Sequence, residues 1–236
     1  MSRLLEWDST FFGFPIGEAH AATAADIAAA DEWARAEHVR CLYLLVSSDQ
    51  FGLVRDAESQ GFHLAGVRMS LTAQAPFKAD LSGTGDTRVR PALPADIGAL
   101  ERIASTAHPD TRFFADPGFD RRDCARLYET WIRRSIEGWA DHVLVAAAEA
   151  SNDPVGYVTL HRRGDEARIG LIAVASETRR AGIGRALMVD VFRWCDRNGI
   201  QRLGVATQAQ NTSALRFYLR CGFKVDQVDF WLHKWW

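Results

Sequence analysis

The segment from Leu171 to Met188 constrains this chain more than any other. It reads LIAVASETRRAGIGRALM: an apolar strand, a polar turn, two glycines and a helix-forming run. Gly182 and Gly184 carry no Cβ, so backbone can approach a ligand closely there. The first amides of a helix lack intrahelical partners and sit at the positive end of its dipole. Arg179 and Arg180 add charge-assisted donors that match phosphate oxygens. Strand, turn and helix start together are shaped for a diphosphate. The spacing is not that of a Walker loop, because the Gly-Lys-Ser/Thr ending is missing. It is not the dinucleotide fingerprint either, whose third glycine would fall at Leu187. A plain tight turn between strand and helix is the bland alternative.

The rest of the composition narrows the class. Of 236 residues 47% are hydrophobic, which supplies a sizeable core and excludes a disordered chain. The net charge of −2 gives no electrostatic case for bulk nucleic-acid or membrane binding, so an anionic ligand must be held by local donors. Cys41, Cys124, Cys195 and Cys221 form no CxxC pair and have apolar neighbours, which favours buried reduced thiols over a metal or disulfide site. The start, Met1-Ser2-Arg3-Leu4, has no apolar signal core, and no apolar run is long enough to span a bilayer. These features lead to the expectation of a cytoplasmic protein without a metal.

Pro76, Ser82, Gly83, Thr84, Gly85 and Asp86 mark a seam, which divides the chain into a smaller N-terminal α/β domain, 1–86, and a second domain, 87–236. Before the seam, helices are expected at Ala24–Glu37 and Phe51–Gln60, and strands at Cys41–Ser47 and Phe62–Thr72. After it, helices are expected at Pro94–Ala107, Arg121–Glu137, Ile183–Arg197 and Asn211–Cys221. Strands are expected at Thr87–Arg90, His142–Glu149, Val155–His161, Arg168–Val174, Arg202–Thr207 and Phe223–His233. A faint repeat links Ala57…Gly61-Phe62 with Tyr218…Gly222-Phe223, each a helix end followed by a strand. If it is genuine, the first copy is a degenerate half without the glycine loop, with Ala57 where Tyr218 sits. The final Trp231–Trp236 stretch either covers the chain's own core or pairs across a homodimer.

A second informative segment begins at Asn211 and reads NTSALRFYLRCGF. Asn211 can cap the helix. Asn211 and Tyr218 lie about two helical turns apart and share a face. Taken alone, Tyr218 would be an ordinary half-buried aromatic.

Arg179-x-x-Gly182-x-Gly184 resembles motif A of the GNAT acetyltransferases, and Asn…Ala-Leu-x-x-Tyr…Gly-Phe resembles their motif B. The resemblance implies a central mixed, mostly antiparallel twisted sheet flanked by helices, with the N-terminal α/β part beside it. It implies that acetyl-coenzyme A is the cosubstrate. The loop amides of Arg179, Arg180, Ala181, Gly182, Ile183 and Gly184 would then hold its diphosphate. The backbone of Ile172, Ala173 and Val174 would pair with the pantetheine arm, with Asn211 also on the cofactor side. Tyr218 would donate a proton to the leaving thiolate. A thiol titrates near ~8.5 and a tyrosine near ~10, so that donation is close to balanced.

Thr111-Arg112-Phe113, Leu127-Tyr128-x-x-Trp131-Ile132, Arg168-Ile169-Gly170-Leu171 and Val205-Ala206-Thr207-Gln208 further resemble the TDP-fucosamine N-acetyltransferases within that family. This implies a small-molecule amine acceptor, the 4-amino group of a TDP-linked 4-amino-4,6-dideoxyhexose, with Arg112 contacting its diphosphate. The general base is open: His108, His161, Asp165, Glu166 and Asp116 qualify by residue type only, and a water chain could serve. Acetylation of protein amines and non-catalytic sensing of coenzyme A remain as alternatives.

Overall fold

The computed structural model describes residues 2–77, 87–148 and 151–236. Its strands are β1 (Ser2–Leu4), β2 (Ile16–Ala19), β3 (Cys41–Ser47), β4 (His63–Gln74), β5 (Arg88–Pro91), β6 (His142–Ala147), β7 (Pro154–Arg163), β8 (Glu166–Val174), β9 (Arg202–Gln208) and β10 (Lys224–Trp235). Its helices are α1 (Glu6–Phe12), α2 (Ala24–Ala36), α3 (Phe51–Ser59), α4 (Ile97–Ala107), α5 (Arg112–Ala115), α6 (Arg121–Arg134), α7 (Ile183–Arg197) and α8 (Thr212–Arg220). All ten strands join one sheet in the order β1-β2-β3-β10-β4-β9-β8-β7-β6-β5. Only β2–β3 and β8–β9 pair in parallel. The expected mixed, mostly antiparallel sheet with flanking helices is what the chain forms.

The expected elements are present with small shifts of their ends. The helix expected over Arg121–Glu137 stops at Arg134 and passes into a π turn, Ser135–Trp139, that closes on Gly138 at φ 109°. A glycine is required there because other residues resist that conformation. The expectations had no elements for residues 2–19, where β1, α1 and β2 lie. Most of the seam, 78–86, lies outside the described residues, while Ala73 and Gln74 pair with β9 inside β4. The C-terminal strand β10 is inserted between β3 and β4, so residues on both sides of the seam share one sheet.

The sheet order has a local two-fold character. Apart from α1, inserted between β1 and β2, the run β1-β2-α2-β3-α3-β4 matches β7-β8-α7-β9-α8-β10 in sequence order and in every pairing sense. Helix α3 ends with Phe62 N–H bonding Ala57 O at 3.0 Å, and α8 with Phe223 N–H bonding Tyr218 O at 3.1 Å. Gly61 and Gly222 take φ values of +86° and +87° to make those turns.

Three apolar clusters fill the space on the two faces of the sheet. Helices α7 and α8 pack on one face through Ile183, Leu187, Val191, Tyr218 and neighbours. Helices α2 and α3 pack against β3 and Leu232 through Ile27, Ala30, Leu53 and Ala57. On the other face α4, α5 and α6 close over Tyr43, Tyr157 and Ala173 with Leu100, Phe113 and Leu127. Trp231 and Trp235 pack into this third cluster, so most of the terminal tryptophan stretch covers the chain's own core. All four cysteines are free and buried.

Candidate active site

A break in the middle of the sheet makes the site. Strands β8 and β9 pair in parallel only from Glu166–Arg202 to Ile169–Val205, although β8 runs on to Val174 and β9 to Gln208. The cause lies on the other edge of β8. The β7–β8 register slips between Val158–Ile172 and Leu160–Ile169, so two residues, Gly170 and Leu171, oppose Thr159 alone. Thr159 Oγ1 accepts the Leu171 N–H at 2.8 Å and secures this bulge. A bulge bends its strand, and here it turns β8 away from β9. A side chain at Gly170 would meet His161 Nε2 at 2.6 Å, so the bulge needs glycine. Beyond it, the β9-facing edge of Ile172, Ala173 and Val174 has no strand partner.

The gap opens into a cleft of about 630 Å³. Its walls come from both faces of the sheet: Gly184 of α7 and Asn211, Phe217 and Tyr218 from the α8 segment on one side. On the other stand His108, Arg112, Tyr128 and Trp131. The sequence motifs therefore meet, although about 40 to 65 residues separate Ile172 from Trp131, Tyr128 and His108 on the opposite wall.

The glycine loop starts α7 without a side-chain cap: Gly182 is the N-cap residue at φ 82°, and no side chain bonds the first turn. Ala186 N–H reaches Gly182 O at 3.0 Å, which leaves the preceding amides of Ile183, Gly184 and Arg185 outside the helix ladder. The topologically matching helix α2 is built the opposite way. Thr23 caps it, and the Asp26 carboxylate accepts the Ala22 and Thr23 N–H groups. One helix start holds its own carboxylate; the other is free to take an external anion.

Arg179 lines the cleft and donates Nε–H to Val174 O at 3.2 Å, which ties the loop to the end of β8. Arg180 lies exposed at φ 69° with Ala181 beside it, while the Ile183 side chain is buried in the core. Asn211 Oδ1 accepts Ala214 N–H at 3.0 Å and caps α8, and the residue lines the cleft. Tyr218 is 3% exposed, held between Phe217 and Phe223, and reaches the cleft. Burial raises its pKa well above the ordinary tyrosine value, so it stays a proton donor across the physiological range.

Arg112 sits at the far wall. Its guanidinium lies 4.0 Å from the Tyr43 ring centroid and 4.3 Å from those of Phe113 and Trp231. It donates from Nη1 to His233 Nε2 at 2.8 Å, and His233 donates from Nδ1 to Asp116 Oδ2 at 2.5 Å. His233 is 1% exposed, and burial first, then the Arg112 charge, lowers its pKa to about 4 despite Asp116. A neutral imidazole is what accepting from Arg112 requires.

Of the five residues considered for proton removal, His108 alone lines this cleft. It stacks on Tyr128 at 4.5 Å and its Nε2 lies 3.2 Å from Tyr157 Oη, with its pKa lowered to about 4 by burial and by Arg179. His161 and Glu166 line a neighbouring hollow. Asp165 lies in the exposed β7–β8 turn, and Asp116 is committed to His233, Trp235 Nε1 and Gly118 N–H. No motif or spacing points to Arg68, which reaches the cleft from β4. Only the insertion of β10 and the pairing of β4 with β9 bring it there. Among the described residues no cluster of His, Cys, Asp and Glu is arranged to hold a metal, and no helix is long and apolar enough to cross a membrane.

Comparison with known proteins agrees with this geometry. Residues 100–223 match the profile of the Acetyltransferase (GNAT) family. The chain is 29% identical over 231 residues to a dTDP-fucosamine acetyltransferase of Escherichia coli O6:H1, covering 98% of this chain and 96% of that protein. It is 26% identical over 145 residues to the spore coat polysaccharide biosynthesis protein SpsD of Bacillus subtilis, 61% of this chain and 50% of that one. Its fold is similar to a GCN5-related N-acetyltransferase from Sphaerobacter thermophilus, at TM-score 0.71 and 16% identity, covering 99% of this chain and 76% of that one. A splayed β8–β9 pair, an uncapped glycine-loop helix and a family match across both motifs lead to one conclusion: the chain belongs to the GNAT family of acetyltransferases.

Proposed function

We propose that this enzyme transfers acetyl from acetyl-coenzyme A to the 4-amino group of a TDP-linked 4-amino-4,6-dideoxyhexose. The observation that carries the reading is the cleft through the sheet, with an anion-ready helix start on one side and an arginine-bearing wall on the other. The loop 179–184 holds the cofactor diphosphate through its amides and Arg179 and Arg180. The free edge of Ile172, Ala173 and Val174 takes the amides of the pantetheine arm as an added strand would. Asn211 borders the same arm. The thioester then lies at the gap, within reach of Tyr218, and the acceptor enters from the Arg112 side. The 29% identical dTDP-fucosamine acetyltransferase, aligned over nearly the whole chain, supports the acceptor class.

In this reading the amine attacks the thioester carbonyl, and Tyr218 protonates the departing thiolate as the carbon–sulfur bond breaks. The ammonium form of the acceptor must lose a proton first. With a pKa of about 4, His108 is too weak a base for that, so water in the cleft carries it. Arg112 contacts the acceptor diphosphate, with its position set by the aromatic box and His233. Residues 1–86 act as a degenerate GNAT-like half that adds Arg68 to the cleft, a reading supported by the two-fold order of the sheet.

The test is a thiol-release assay with acetyl-coenzyme A against TDP-linked amino sugars, free amino sugars, amino acids and peptides. Preference for the TDP-linked 4-amino sugar is expected. Equal use of the free sugar would remove the diphosphate from the assignment, and preference for peptides would replace the substrate class.

A further inference from the structure

The middle of the sheet carries a second cationic feature that the cofactor loop does not use. In an antiparallel pair, residues opposite each other point to the same face. Arg68 of β4 stands opposite Gln208, Ser70 opposite Ala206, and Thr72 opposite Gly204 of β9. Gly204 in turn stands opposite Arg168 of β8. These residues form one strip on the α4–α6 face, and no helix covers it: Arg168 is exposed and Arg68, Ser70 and Thr72 are half-buried.

Arg68 and Arg168 line both the cleft and a hollow of about 180 Å³ that adjoins it, floored by Ser70, Thr72, Gly204 and Ala206. Among the described residues neither arginine has an ion pair or hydrogen bond, whereas Arg202, Arg112 and Arg179 nearby each have one. The one carboxylate in the hollow, Glu166, is already faced by Arg202 at 3.7 Å, and Arg202 also pairs with Asp226 at 2.7 Å. Among the described residues the Ser70 and Thr72 hydroxyls likewise have no hydrogen-bond partner.

A second, independent sign lies next to them. Gln208 Oε1 is buried without a hydrogen-bond partner at the cleft wall, and a buried acceptor left open costs about 1–3 kcal/mol. It sits over Gly66, where a side chain would approach it to 2.8 Å, and Arg112 packs on the same glycine. The base of the Arg112 side chain, Arg68 and the unmet Gln208 acceptor thus line the same cleft, while the Arg112 guanidinium is held in its aromatic box.

We infer that Arg68 and Arg168 form a diphosphate subsite on the open strip of the sheet, with Gln208 accepting a hydroxyl or N–H from the same ligand. The ligand class is an organic diphosphate whose other end carries a hydrogen-bond donor. This deepens the proposed function and rests on it for the identity of the acceptor. A sugar that directs its amine into the β8–β9 gap must carry its anomeric substituent back onto this strip. The diphosphate then meets Arg68 and Arg168, with Arg112 on its flank.

The experiment uses the full chain saturated with coenzyme A, so that the α7 loop is occupied, and TDP and inorganic pyrophosphate as probes. TDP is expected to raise the melting temperature of the wild type, and Arg68→Gln and Arg168→Gln each to lose most of that rise. The KM for a TDP-linked amino sugar is expected to climb about 10–100-fold per arginine, far more than kcat moves. Arg168→Lys should restore part of the KM. Gln208→Leu should raise KM for the TDP-linked sugar and leave pyrophosphate binding in place. Arg168 is exposed, so its variants report on binding and not on folding. If TDP stabilises the wild type and both variants equally, or does not stabilise the wild type, the subsite is refuted. If the variants keep the wild-type KM for a TDP-linked sugar that the enzyme does acetylate, the subsite falls and the substrate assignment stands. If TDP binding depends on both arginines but no nucleotide-linked amine is acetylated, the subsite stands and the substrate assignment falls.

Discussion

Gly184→Asp separates cofactor binding from folding at a single atom position. Gly184 is the second residue of α7 with an ordinary backbone conformation, and an added Cβ meets only the Phe217 ring at 3.5 Å, an ordinary contact. By contrast Gly182, at φ 82°, would be strained by any substitution, so its loss confounds binding with loop structure. An aspartate in the first turn of α7 interacts favourably with the helix dipole by about 0.3–1 kcal/mol and replaces a poor helix former. The unliganded variant should therefore melt at or slightly above the wild-type temperature. Against a bound diphosphate the same carboxylate is repulsive. At about 5 Å and an effective dielectric of about 20, each facing phosphate charge costs about 3 kcal/mol, or roughly 200-fold in affinity. With acetyl-coenzyme A at about 100 times its Kd, the wild type gains about 2.7 kcal/mol. For a chain of this size that is a rise of roughly 5–10 °C. The variant at the same concentration should rise by less than about 1 °C. Thermal melts with and without acetyl-coenzyme A read both numbers, and Gly184→Ala should keep most of the rise. A folded Gly184→Asp protein with the full wild-type rise would refute the placement of the diphosphate at α7.

Tyr218→Phe removes only a hydroxyl from a well-packed ring; turnover should fall about 10²–10⁴-fold with acetyl-coenzyme A affinity nearly unchanged, as measured by steady-state kinetics and calorimetry. Arg112→Ala should raise the KM for a TDP-linked amino sugar while leaving acetyl-coenzyme A binding intact, and it should also cost stability because three rings and His233 lose their partner. His108 and His233 both have folded pKa values near 4, below the ordinary histidine value, so protonation favours the unfolded chain. Their stability contribution is complete above about pH 6.5 and is lost as the pH falls toward 4. Urea titrations should show a loss of up to about 3 kcal/mol per pH unit near pH 5, and His233→Gln should flatten that slope. Stability that stays level from pH 7 to pH 4.5 would show that these two imidazoles are not buried neutral.

The parts of the site whose chemistry is local can be read from the amino-acid order alone. A glycine loop between a strand and a helix specifies an open helix start, because the needed features are backbone conformation and missing side chains within six residues. Asn211 and Tyr218 share a face because helical periodicity puts them there, and α7 has the limits expected from its Asn198-Gly199 stop. The strands around Gly164 and the helix ends at Gly61 and Gly222 were legible for the same reason. Everything that depends on strand order emerges with the folded sheet instead. Nothing local states that β10 threads between β3 and β4, or that this brings His233 to Asp116 and Trp231 onto Arg112. The bulge at Gly170 shows in the sequence only as a glycine, yet it turns a paired strand into the free edge that makes the cleft. Arg68 and Arg168 lie 100 residues apart in the chain, and although Arg168 belongs to one of the motifs that carry the resemblance, nothing in either segment points to the other. They become neighbours of one hollow because the single intervening strand, β9, pairs in register with both β4 and β8, and pairing register is a property of the folded sheet.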